Sequence, residues 1–131
     1  MQVRVEQIEG RRLVIEARGN RVIVDDTVEA GGPGDGFRPT ELLLGALGSC
    51  MIGTMINFAR GQDIAVGDIT VELEEEAADK PARIDRIRAT MTLDTDADDR
   101  RQETLRRVAG GCRIHNTLGT SPTIEFDLQA P

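Results

Sequence analysis

The stretch LLLGALGSCMIGTM, residues 42–55, is the most informative part of this chain, because it predicts one long apolar helix with a cysteine near its middle. Pro39 suits the first helical turn and Gly61 suits the end of a helix, so we predict a helix from Pro39 to about Arg60. Apolar side chains cover most of its circumference. Such a helix is typically buried.

Small residues interrupt the apolar surface of this helix. Each glycine in a helix costs about 0.8–1 kcal/mol relative to alanine, so the segment needs close packing to compensate. Gly45, Ser49 and Gly53 are spaced at i, i+4 and i+8 and form one stripe along which another backbone can approach. Because a chain of 131 residues can hardly enclose such a helix alone, we expect it to be buried in a dimer.

Most of the remaining chain alternates polar and apolar residues at the strand period. Gly19-Asn20 is a suitable hairpin turn, since both residues tolerate positive φ. The predicted elements on either side of the helix are strands at 2–8, 12–17 and 21–25, a glycine-rich loop at 29–39, and long strands at 68–77 and 83–95 joined by a turn at 79–81.

The last third of the chain predicts two helices and a final strand. One helix follows the acidic residues from Asp96 onward, and Gly110-Gly111 stops or bends it. A short helix begins near Cys112, and a strand is expected at 123–128. A bulge near Asp85–Arg86 is needed to keep the apolar residues of strand 83–95 on one face. The order βββ-α-ββ-αα-β predicts a single α+β domain, residues 1–131, with a mainly antiparallel sheet.

Composition narrows the classes of partner. The net charge is −7, and the chain has three Phe, no Trp and no Tyr. Nucleic-acid binding usually needs a positive surface and aromatic platforms, so we expect no nucleic-acid partner. The N-terminus lacks the apolar core of a signal peptide, and polar residues interrupt the apolar run in the helix. We therefore expect a soluble cytoplasmic protein without a membrane partner.

Two cysteines, Cys50 and Cys112, lie 62 positions apart. In a reducing compartment they are either two free thiols or a redox couple. A buried thiol is inert, whereas a reactive one needs a cation or a helix N-terminus beside it. His115 follows Cys112 by three residues, so these two residues and Cys50 could together bind zinc, although no paired Cys-x-x-Cys motif supports that.

Two segments resemble known motifs. RPTELLLGALGSCMIGTM, residues 38–55, is similar to the central-helix signature of the OsmC/Ohr family, and AGGCRIHNTL, residues 109–118, is similar to the family's later cysteine segment. The resemblance implies an OsmC-like fold and an intertwined homodimer in which the two central helices are buried together. It also implies cysteine-dependent reduction of organic hydroperoxides.

The resemblance assigns roles to individual residues. Cys50 matches the peroxidatic cysteine and Cys112 the resolving cysteine. ARGNR, residues 17–21, resembles the hairpin that carries the thiolate-stabilising arginine, so Arg18 is the candidate for that role.

The carboxylate that orients this arginine directly follows a proline in the Ohr branch. Here Thr40 follows Pro39 and Glu41 comes one residue later, which turns the side chain by about 100° around the helix. Glu41 is still the candidate carboxylate, and Arg38 and Arg113 are the alternative arginines.

The resulting expectation is a thiol peroxidase of oxidative-stress defence. Cys50 forms a sulfenic acid, Cys112 condenses with it to a disulfide, and an external dithiol reduces the pair. No haem, flavin or metal is required. The alternatives are a non-catalytic dimer that binds a small apolar ligand or senses redox state, and a zinc-dependent enzyme.

Overall fold

The computed structural model describes residues 1–131 and has an α+β fold with antiparallel sheets, as predicted. It contains two compact units, residues 1–45 and 46–131, and each is described by itself below. The elements in chain order are β1 (Arg4–Glu9), β2 (Arg12–Ala17), β3 (Asn20–Val24), a 3-10 helix (Val28–Ala30), α1 (Pro39–Gly61), β4 (Ile69–Ala78), β5 (Arg83–Leu93), α2 (Asp99–Ala109) and α3 (Arg113–Thr120).

The first unit contains an antiparallel sheet in the order β1-β2-β3. Ala17 pairs with Asn20, so the two turn residues are Arg18 and Gly19, with φ angles of 53° and 82°. The predicted turn Gly19-Asn20 is therefore wrong by one residue. The side-chain amide of Asn20 donates to the carbonyl oxygen of Ala17 at 3.1 Å and closes the hairpin from outside the turn.

The glycine-rich loop returns to the sheet at Phe37. The N–H of Asp25 donates to the carbonyl oxygen of Phe37, and the N–H of Phe37 donates to that of Ile23, each at 3.0 Å. The Arg12 guanidinium contacts both the buried carboxylate of Asp25 at 2.7 Å and that of Asp35 at 2.5 Å. This pairing with Arg12 holds the pKa of Asp35 below its ordinary value. The ion pairs thus fix the loop against β2 and β3.

In the second unit, β4 and β5 form a long antiparallel ladder. Glu76 pairs with Arg86 and Ala77 pairs with Ile84, so Asp85 is the extra residue of a bulge. The predicted bulge near Asp85–Arg86 is confirmed. It restores the alternation of β5, whose half-buried apolar residues are Ile84, Ile87, Met91 and Leu93.

The core of the second unit joins α1 to α2. Met55 and Ala59 of α1 pack with Leu105 and Ala109 of α2, and all four are almost fully buried. The predicted bounds of α1 are confirmed to within one residue.

Close packing of α1 on β4 occurs at a glycine outside the predicted stripe. A Cβ added at Gly48 would lie 2.8 Å from the Leu73 side chain and 3.0 Å from that of Val71. Gly45 and Gly53 face open space in the chain. The packing of that stripe against a second copy therefore stays a prediction.

Length and composition alone would allow α1 to cross a membrane. Its most apolar window has a mean hydropathy of 1.7, and 22% of that window is buried within the chain. The core helix of a water-soluble protein meets the same criterion, so this property is weak evidence for a membrane span.

The predicted final strand is wrong. Residues 121–131 form no helix or strand, and Ile124, Phe126 and Leu128 are 84–86% exposed. Their alternation fits one buried face, but a strand also needs a neighbouring strand to hydrogen-bond with. No strand of this chain pairs with the segment.

A candidate dithiol site

The second unit contains two free thiols, Cys50 and Cys112. Cys50 lies near the middle of α1 and is partly exposed, whereas Cys112 directly precedes α3 and is 1% exposed. The backbone N–H of Ile114 donates to Cys50 Sγ, with 3.5 Å between the two heavy atoms. The first turn of α3, which directly follows Cys112, therefore contacts Cys50, and the redox couple of the two cysteines stays a prediction.

Local structure places Cys112 at the start of α3. Gly110 closes α2, its N–H donating to the carbonyl oxygen of Arg106 at 3.1 Å, and the chain then turns through Gly111. Cys112 is extended, with φ −69° and ψ 161°, and its Sγ accepts the N–H of His115 at 3.4 Å. Cys112 is thus the N-cap of α3, where free N–H groups and the helix dipole favour negative charge.

The pKa values of the two thiols are shifted in opposite directions. The pKa of Cys50 is lowered from 9.0, chiefly by the Ile114 N–H; burial opposes this, and the Cys112 thiol, the Arg113 N–H and Thr54 lower it further. The pKa of Cys112 is raised from 9.0, chiefly by burial. Cys50 is therefore the thiol that ionises first, and Cys112 keeps its proton.

Arg18 and Glu41, the arginine and carboxylate expected at the site, lie in the first unit, whereas the alternative Arg113 is exposed at the start of α3 in the second. Arg18 is exposed in the β2–β3 turn. Glu41 lies in the first turn of α1, where its carboxylate accepts the N–H of Arg38 at 2.7 Å. Arg18 and Glu41 do not form an ion pair with each other. Their roles toward Cys50 stay predictions.

His115 does not join the cysteines as a metal ligand. Its side chain is exposed, and the contact that it makes with the site is the backbone N–H donated to Cys112. No group of three His, Cys, Asp or Glu side chains is placed to hold a metal ion. The three-ligand zinc arrangement considered from the sequence is not formed.

Sequence reasoning missed the groups that act on the Cys50 sulfur. The groups that lower the pKa of Cys50 include no charged side chain. They are the backbone N–H groups of Ile114 and Arg113, the Cys112 thiol and the Thr54 hydroxyl. The position of Thr54, four residues after Cys50, was a usable signal because residues at i and i+4 share a helix face. No sequence pattern of this kind connects Cys50 with the Ile114 N–H, which lies 64 residues further along the chain.

Comparisons with known proteins agree with the motifs. The family model described as OsmC-like protein matches residues 32–127. A candidate osmotic stress induced and detoxification response protein from Psychrobacter arcticus has a similar structure, with a TM-score of 0.81 and 26% identity over 89% of this chain and 87% of that one.

Two more distant solved structures share the fold. An OsmC like protein from Mycoplasma pneumoniae has a TM-score of 0.79 and 16% identity, covering 92% of this chain and 87% of that one. An organic hydroperoxide resistance protein OsmC from Legionella pneumophila has a TM-score of 0.66 and 19% identity, covering 91% and 88%. A search of curated protein sequences returned no significant match. From the family model and the shared fold, the chain belongs to the OsmC-like protein family.

Proposed function

We propose that this protein is a thiol peroxidase that reduces organic hydroperoxides, with Cys50 as the attacking thiolate and Cys112 as the resolving thiol. The observation that carries the proposal is the asymmetry of the pair: a partly exposed Cys50 of lowered pKa beside a buried Cys112 of raised pKa. The similarity in fold to the hydroperoxide resistance protein of Legionella pneumophila agrees with this reaction class.

The first step oxidises Cys50. Its thiolate attacks the distal oxygen of ROOH, the O–O bond breaks, and the leaving alkoxide takes a proton to become ROH. Cys50 becomes a sulfenic acid, having lost two electrons to the peroxide. A partly exposed sulfur suits this step because the substrate must reach it.

The second step forms a disulfide. The Cys112 sulfur attacks the Cys50 sulfenic acid, the S–O bond breaks, and the hydroxyl leaves as water with the proton of Cys112. An external dithiol then reduces the disulfide by thiol exchange and becomes oxidised itself. The cycle needs two thiols of this chain and no cofactor.

The proposal also includes an activating arginine, a homodimer and a cellular location. Arg18, oriented by Glu41, is the proposed arginine for the thiolate, and Arg38 and Arg113 are the alternatives. A homodimer would cover the α1 surface that one chain leaves exposed. We also propose a cytoplasmic location, where reducing dithiols are available.

The test is intact-mass analysis after one equivalent of cumene hydroperoxide. The wild type should lose two hydrogen atoms as the disulfide forms. Cys50→Ser should not react, and Cys112→Ser should gain one oxygen as the sulfenic acid. Peroxide reduction by Cys50→Ser at the wild-type rate would contradict the proposal.

Binding of a small apolar ligand is the alternative function, and one feature of the second unit favours it. A groove of about 550 Å³ between α1, β5 and α2 is lined by Met51, Met55, Met91 and Leu105, among others. The alternative predicts that an apolar fluorescent probe, 8-anilinonaphthalene-1-sulfonate, binds there and that Ala89→Glu on the groove wall prevents binding. Probe binding without peroxide turnover would favour this function.

A further inference from the structure

We infer that Asn116 is a positioning residue for the Cys50 sulfur. Its side-chain amide fixes the backbone at the start of α3 and so keeps the N–H of Ile114 against that sulfur. The inference deepens the proposed function and rests on it for its consequence in peroxide reduction. The placement of the N–H can be tested on the reduced protein without any peroxide.

The junction between α2 and α3 needs a fixed backbone because it presents an N–H to another helix. The Ile114 N–H donates to Cys50 Sγ in α1, with 3.5 Å between the heavy atoms. Gly110 and Gly111 stand just before this turn, and glycine has more conformational freedom than any other residue. A rotation of the turn would bend the hydrogen bond to the sulfur, and a bent hydrogen bond weakens steeply.

Asn116 holds two consecutive carbonyl groups of this junction. Its backbone N–H donates to the carbonyl oxygen of Cys112 at 2.9 Å, and its side-chain amide donates to that of Gly111 at 3.2 Å. The first is an ordinary helix hydrogen bond from the N-cap carbonyl, whereas the second reaches the residue before the N-cap. Asn116 therefore ties the second glycine of the junction to α3.

The start of α2 has the same pair of hydrogen bonds. Gln102 is the fourth residue of α2, as Asn116 is the fourth residue of α3. Its backbone N–H donates to the carbonyl oxygen of the N-cap Asp98 at 3.0 Å, and its side-chain amide donates to that of Ala97 at 2.7 Å. An amide at this position thus fixes the entry of the chain into both helices. At α3 that entry also presents the donor to the reactive sulfur.

Asn116 can be replaced without disturbing the core or the helix. Its side chain is exposed, so substitution leaves no cavity. Alanine has a higher helix propensity than asparagine, so Asn116→Ala should not weaken α3 itself. A less reactive Cys50 in this variant would therefore report the loss of the bond to Gly111 and not a less stable helix.

The experiment compares Asn116→Ala, which removes the amide, with Asn116→Gln, which keeps it. Gln102 shows that a glutamine at this helix position reaches the carbonyl before the N-cap. Gln102→Ala is the matched control, because it removes the corresponding bond from α2. The readout is the rate of Cys50 alkylation by iodoacetamide across pH, quantified by peptide mapping of the reduced protein. Thermal unfolding checks that each variant is folded.

A positioning role predicts a split between these variants. At pH 7 alkylation of Cys50 should fall about threefold or more in Asn116→Ala and stay within about twofold of wild type in Asn116→Gln and Gln102→Ala. The pH midpoint of alkylation should rise in Asn116→Ala only. An unchanged rate in Asn116→Ala, or slowing of the same size in either of the other variants, would overturn the inference.

Failure of this inference differs from failure of the peroxidase proposal. Alkylation uses no peroxide, so a variant split without peroxide turnover supports Asn116 as a positioning residue and contradicts only the peroxidase proposal. Normal turnover with no variant split does the reverse.

Discussion

The starts of α2 and α3 have the same backbone geometry and differ in the acceptor atom. Asp98, before α2, has φ −66° and ψ 167°, and Cys112, before α3, has φ −69° and ψ 161°. In each case the side chain accepts the N–H three residues on: the Asp98 carboxylate from Arg101 at 2.9 Å, and the Cys112 sulfur from His115 at 3.4 Å.

The difference in acceptor atom shows that the same capping geometry can either stabilise a helix alone or also belong to a reactive site. A carboxylate is a strong acceptor, and aspartate is among the preferred N-cap residues. A thiol is a weak acceptor, so α3 begins with a poorer cap. In return, the first turn of α3 donates the Ile114 N–H to the sulfur of a second cysteine on another helix.

The largest expected effect is the difference in reactivity between the two cysteines. Cys50 has a lowered pKa and is partly exposed, whereas Cys112 has a raised pKa and is 1% exposed. At pH 7 we expect Cys50 to react with iodoacetamide about a hundredfold faster or more. Peptide mapping of the reduced protein measures both rates, and equal labelling would contradict the assignment of roles.

The shifted pKa values of Cys50 and Cys112 predict opposite effects of pH on the stability of the fold. The lowered pKa of Cys50 stabilises the fold above its unfolded-state value, and this contribution is lost as the pH falls through the folded-state value. The raised pKa of Cys112 stabilises the fold below its unfolded-state value, and this contribution is lost as the pH rises through the folded-state value. Removing Cys112 by substitution to Ser should therefore weaken the loss of stability at alkaline pH, as measured by denaturant unfolding.

The next effect comes from removing the donor on α3. Ile114 is the second residue of α3, where a proline is tolerated because the first-turn N–H groups have no partner within the helix. Ile114→Pro removes the N–H that faces Cys50, and we expect Cys50 alkylation at pH 7 to fall about tenfold. Ile114→Ala, which keeps the N–H, is the control. An equal fall in both variants would mean that side-chain packing and not the hydrogen bond activates Cys50.

Local sequence signals predicted much of the fold. Pro39 and Gly61 marked the ends of α1, and the alternation in β5 required the extra residue at Asp85. The strand at 123–128 was wrong because alternation reports which face is apolar but not whether a neighbouring strand is available. The hairpin turn was predicted one residue too late in the sequence, because Arg18 rather than Asn20 adopts a positive φ.

The site was predictable in its reactive atoms but not in the groups that activate Cys50. Cys50 and Cys112 stood out through their motifs. The Ile114 N–H lies 64 residues from Cys50 in the sequence. Because it is a backbone group, no residue type could have predicted it. The resemblance instead pointed to Arg18 and Glu41, whose relation to the thiolate stays a prediction.

Oxidation should weaken the start of α3 by a smaller amount. In a Cys50–Cys112 disulfide the Cys50 sulfur no longer carries a negative charge, so the N–H of Ile114 loses most of its acceptor. We expect amide hydrogen exchange in α3 to rise about fivefold in the oxidised protein, as for the loss of an N-cap. The amides of α2, capped by Asp98, are the internal control. Equal exchange in α3 before and after oxidation would contradict the role of the Cys50 thiolate as the acceptor of the Ile114 N–H.

The smallest effect tests the start of α2, where the cap serves stability alone. Asp98→Ala should lower the free energy of unfolding by about 1 kcal/mol, and Asp98→Asn by only a few tenths of that, because Asn also caps well. For a chain of this size 1 kcal/mol corresponds to a thermal midpoint lower by about 3 °C. Neither variant should change the alkylation rate of Cys50, because Asp98 is not among the principal influences on its sulfur. A change in Cys50 reactivity in Asp98→Ala would show that the start of α2 also influences the Cys50 sulfur.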